Sequence, residues 1–111
     1  GLFALTLLTS CRPPELEGAF VDFNAKRYDN ALKLANEATQ KYPENAEAWF
    51  LLGRIYAQKG QIAEMDHAFA KSLTANNQFE KQITLERKYQ YGVLFNNGVN
   101  KYNSFTKIED R

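Results

Sequence analysis

Residues able to make or break a bond are scarce in this chain. Cys11 is the only cysteine and His67 the only histidine, and a nucleophile needs a base beside it. Glu64-Met65-Asp66-His67 spells Glu-x-x-His, which on a helix puts both side chains on one face. Di-iron bundles use that spacing, but with two such motifs and two further glutamates. A second histidine does not exist, so an exposed histidine on a helix is the expectation and no metal is assigned. Glu15 and Glu17 sit where a helix start favours acids and need no catalytic role. Gly53, Gly60, Gly92 and Gly98 are isolated, so no phosphate-cradling loop is present. We expect no catalytic residue, no cofactor and no enzyme activity in this stretch.

The bulk composition agrees. The 111 residues suffice for one small domain. The net charge of +1 comes from interspersed acids and bases, with no basic stripe for nucleic acid. Eight Phe and six Tyr supply aromatic surface, and three Pro with six Gly are too few for a disordered chain. With one cysteine, no intrachain disulfide can form.

Residues 1–10 are uncharged and mostly apolar. The run is too short for a bilayer, which needs roughly 20 residues, but has the length of a signal-peptide hydrophobic region. We read it as a remnant of that region. Leu8-Thr9-Ser10-Cys11 then resembles the bacterial lipobox. The resemblance implies lipid attachment at Cys11, with residues 11–14 a short linker stiffened by Pro13-Pro14. Arg12 follows the cysteine, which by the enterobacterial sorting rule implies the outer membrane, facing the periplasm. Acyl chains gain about 0.8 kcal/mol per buried CH2, enough together to hold a protein on a membrane.

The elements follow from spacing. Trp49, Leu52, Gly53 and Tyr56 stand as W-x2-L-G-x2-Y, which resembles the first helix of the tetratricopeptide repeat, a helix–turn–helix unit of about 34 residues. A shift by that length brings two units into register, at about residues 12–45 and 46–79. Ala19 falls on Gly53, Lys26 on Gly60, Ala31 on Met65, Ala35 on Phe69 and Ala38 on Ser72. Pro43 matches the family's terminal proline, while Asn77 stands in its place in the second unit. The first unit is degenerate, with Glu15, Gly18 and Asp22 where Trp, Leu and Tyr would be. Its second helix is regular, with Tyr28, Ala31, Leu32, Leu34, Ala35 and Ala38 at helical spacing.

Beyond residue 78 the register fails. Near-helical spacing of Tyr91, Phe95, Val99 and Tyr102 predicts one long helix over about 79–101, opening a truncated third repeat within 79–111. Asn96-Asn97-Gly98 offers a competing turn. The fold expected is all-α, a tetratricopeptide-type solenoid of about two repeats plus a long C-terminal helix.

The resemblance also implies a function. In this family the inner faces of the first helices line a groove that binds a protein or peptide. By register that groove takes Leu16, Phe20, Phe23 and Asn24 in the first unit. In the second it takes Glu47, Phe50, Arg54, Ala57 and Gln58. Trp49, Tyr56 and Phe69 fall on core positions. A lipid-anchored, non-catalytic adaptor of the bacterial cell envelope is the reading this supports. The rivals are a regulatory segment of a longer envelope enzyme, and a self-assembling array whose long helix docks into a neighbour.

Overall fold

The computed structural model describes residues 12–109. Among the described residues five helices follow one another: α1 (Pro14–Asn24), α2 (Tyr28–Lys41), α3 (Ala46–Gln58), α4 (Ile62–Ala75) and α5 (Glu80–Glu109). Cys11, the lipobox and the apolar run before it lie outside the described residues. Among the described residues, no helix is long and apolar enough to cross a membrane. The chain divides into two compact units, one ending at Phe79 and the other beginning at Glu80.

In the first unit α1 packs on α2, α2 on α3 and α3 on α4. The two helix pairs repeat each other down to single hydrogen bonds. Arg27 N–H donates to the Asp22 carbonyl at 2.8 Å, and Gln61 N–H donates to the Tyr56 carbonyl at 2.9 Å. Both bonds close a left-handed helix exit of the Schellman kind. The left-handed residue is Lys26 (φ 64°) in the first pair and Gly60 (φ 74°) in the second. These are the two residues that the shift places in register.

The core repeats in the same way. Ala31 and Met65, Ala35 and Phe69, and Ala38 and Ser72 are all buried. Side-chain size is traded between α3 and α4. A Cβ on Gly53 would lie 2.4 Å from the Phe69 ring, so this position must be bare. In the first pair the equivalent residues are Ala19 and Ala35, and a small partner leaves room for a methyl.

Where the first pair lacks the Trp, Leu and Tyr of the pattern, other forces replace their packing. Glu15 accepts from Lys41 Nζ and from the Tyr42 hydroxyl, tying α1 to the end of α2. Asp22 pairs with Arg27 at 2.9 Å. Gly18 lets Leu34 of α2 come close.

Between the pairs, the Asn45 side chain caps α3 by accepting from Ala48 N–H at 3.1 Å. Trp49 Nε1 donates back to the Pro43 carbonyl at 2.8 Å, so the pattern tryptophan fixes the turn as well as filling space. The Ser72 hydroxyl, fully buried, donates to the Ala46 carbonyl at 2.8 Å and joins α4 to the start of α3. After α4, Asn76 accepts from Gln78 N–H at 2.9 Å in a local turn. That turn does the work of the missing proline.

The long helix corrects the expectation for the C-terminal stretch. It begins at Glu80 and continues to Glu109, eight residues past the expected end at 101, and Asn96-Asn97-Gly98 is helical. A lone Asn-Asn-Gly lowers helix propensity by about 1 kcal/mol at the glycine, which neighbouring turns can absorb.

Candidate functional site: the face shared by α1 and α3

The residues expected to line a groove fall on α1 and α3, except that they do not share one fate. Register positions decide. Leu16 and its equivalent Phe50 are buried, and so are Phe23 and its equivalent Ala57. Phe20 and Arg54, one register pair, are half-buried, and Asn24 and Gln58, another, are exposed. Leu16, Phe23 and Ala57 are therefore corrected from groove to core, because adjoining elements cover them. Phe50 is corrected too. Its ring stacks on Phe79 at 4.6 Å and 7°, and on Phe69 at 6.1 Å.

What remains at the surface is organised by two guanidinium groups. Arg12 lies over the Phe20 ring at 4.2 Å. Its Nε and Nη2 donate to the two carboxylate oxygens of Glu47, each at 3.0 Å, and Nη1 donates to Glu17 at 3.2 Å. This fork-to-carboxylate geometry is the strong form of the contact. The hydrogen bond to Glu47, helped by the Glu17 contact and opposed by burial, holds the Arg12 pKa above its ordinary value. Arg54 lies over Phe23 at 4.8 Å and Phe50 at 5.7 Å. Each cation covers ring faces that would otherwise meet water, a contact of about 0.5–1 kcal/mol when exposed.

Arg12 belongs to this face and Phe79 to the core beneath it, and neither follows from the repeat register. Arg12 lies in the short linker, outside any repeat position. Phe79 was the first residue of the expected long helix. A signal existed for Phe79, an aromatic next to the polar run Asn76-Asn77-Gln78; for Arg12 there was none.

Elsewhere, Glu64 and His67 are both exposed on α4, with the His67 ring edge-on to Trp49 at 6.3 Å. Among the described residues no cluster of three or more metal-ligand side chains forms. Nor does any buried polar side-chain atom among them lack a hydrogen bond.

Two stacked helix–turn–helix pairs with a small-residue seam define an all-α helical repeat. Residues 23–64 match the family model of the tetratricopeptide repeat, so this stretch is similar to a class of modules that commonly bind proteins. The match spans the end of α1, all of α2 and α3, and the start of α4. No curated protein and no solved structure matches the chain.

Proposed function

We propose that the chain is a non-catalytic adaptor, lipid-anchored through Cys11 in the bacterial cell envelope, which holds a protein or peptide on the α1–α3 face. The observation that carries the reading is the pair of arginine–phenylalanine stacks. Phe20 and Arg54 present apolar ring and charge side by side, with Asn24 and Gln58 as an exposed polar rim. Apolar anchors within a polar rim suit a peptide or an amphipathic helix. Helical repeats in general bind along such extended faces.

Anchoring rests on the lipobox resemblance, and its placement suits the face. Arg12, next to Cys11, is itself clamped between Phe20 and Glu47. A lipid on Cys11 would hold this face close to the membrane, and the sorting rule points to the outer membrane on its periplasmic side.

The face is tested by partner capture from envelope extract, comparing wild type with Phe20→Ala and Asn24→Ala. Loss of the captured protein with unchanged helicity is expected. Equal capture by all three would refute the binding face. Cys11→Ser should move the protein from the membrane fraction to the soluble one. Unchanged membrane association would refute the anchor.

A further inference from the structure

Opposite the α1–α3 face the first unit carries a second feature, a cleft of about 430 Å3. Trp49, Leu52 and Tyr56 of α3 form its floor, Asn36 and Gln40 of α2 one wall, and Glu64 and His67 of α4 the other. At 100° per residue, positions 49, 52 and 56 point away from 50, 54 and 57, so the cleft is separate from the face described above. Its form is a groove between two helix ridges, one turn of α2 and one turn of α4. Such a groove accepts the side-chain ridge of a third helix. Its apolar floor and polar walls have the layout of an interface.

The chain carries a matching ridge. On α5, Leu85, Tyr89 and Val93 follow at four-residue intervals and so share one face. They are 66%, 66% and 38% exposed. A run of large apolar side chains left in water marks a contact surface. Charge decides the occupant. The one charged residue lining the cleft is Glu64, and Lys81 and Lys88 flank the ridge. Among the described residues, none of these three forms an ion pair.

We propose that the cleft receives the Leu85–Tyr89–Val93 ridge of a second copy of this chain. Leu85 and Tyr89 seat on the half-buried Trp49 and Tyr56, and Glu64 meets Lys88 of the incoming helix. Each copy offers one cleft and one ridge, so the contact joins two unlike surfaces.

Sedimentation of the full chain across concentration tests this. The mean mass should rise with concentration for wild type. Ala63→Arg blocks the cleft and Tyr89→Asp spoils the ridge, so each variant alone should stay monomeric. Mixed in equal amounts they should form a dimer and stop there, because one intact cleft then meets one intact ridge. A wild type that remains monomeric overturns the proposal. So does self-association of Ala63→Arg alone, which would mean ridge-to-ridge pairing. So does a loss of helicity in Tyr89→Asp, which would mean that the ridge packs within its own chain.

A pair of surface charges gives a second reading that leaves the fold alone. Glu64→Lys and Lys88→Glu should each weaken association by roughly three- to tenfold. The double variant should recover most of that loss, and failure to recover it overturns the assigned register.

Discussion

Single residues set the tolerances of this fold. At Gly53 the Phe69 ring occupies the space a Cβ would take, 2.4 Å away. Gly53→Ala would normally stabilise a helix by up to about 1 kcal/mol. Here overpacking of about 1–3 kcal/mol dominates, so chemical denaturation should show a less stable protein. A rise in stability would mean that α4 can slide away freely. Glu15 is governed by charge. Its hydrogen bond from Lys41 is the chief reason that its pKa is held below the ordinary carboxylate value, and the same contact raises that of Lys41. A lowered folded-state value contributes stability above the ordinary carboxylate range, and that stability is lost as pH falls through the folded value. Wild type should therefore melt above Glu15→Gln at neutral pH, and the two should converge in acid. A constant gap across pH would assign the difference to packing.

Elements are ended and joined by a few backbone decisions. The α1–α2 and α3–α4 turns share one hydrogen-bond pattern, but one uses lysine and the other glycine at the left-handed position. For a side chain with a Cβ that conformation costs roughly 1–2 kcal/mol. Replacing it with glycine returns about 0.4–1 kcal/mol of entropy to the unfolded chain. Lys26→Gly should thus be neutral or stabilising by up to about 1 kcal/mol, while Gly60→Ala should destabilise by about 1 kcal/mol or more. Opposite signs in parallel denaturation curves would support the shared turn. Equal losses would show that the lysine side chain contributes at its position. These turns were legible in the sequence, since the repeat shift pairs Lys26 with Gly60 before any coordinates are considered. The end of α5 was not legible, because an Asn-Asn-Gly stretch reads equally as turn or as helix until its neighbours are known.

Across the whole molecule, the buried side chains of the first unit run continuously from Leu16 to Ala68, while α5 shows water a ridge of apolar groups. Local opening costs least where few apolar groups are buried. Amide exchange at low protein concentration should be slowest in α3 and α4 and faster along residues 84–93 of α5. Raising the concentration should slow exchange in α5 if copies associate through it. Protection in α5 equal to that of α3 at every concentration would contradict the picture of an open ridge.

The sequence by itself determined the helical class, the repeat length, the turn positions and the buried seam. Helical periodicity and the helix–turn–helix shift are local properties written in spacing, as Trp49-to-Tyr56 and the Ala35/Phe69 register show. Only tertiary structure decided which groove positions reach the surface. Leu16, Phe23, Phe50 and Ala57 share a helix face with Phe20, Arg54 and Gln58, yet adjoining elements cover the first four. It also decided that Arg12, silent in any pattern, clamps Phe20 to Glu47. Contacts between residues 35 apart in the chain, as Arg12 and Glu47 are, depend on where helices meet in space, and no local spacing encodes that.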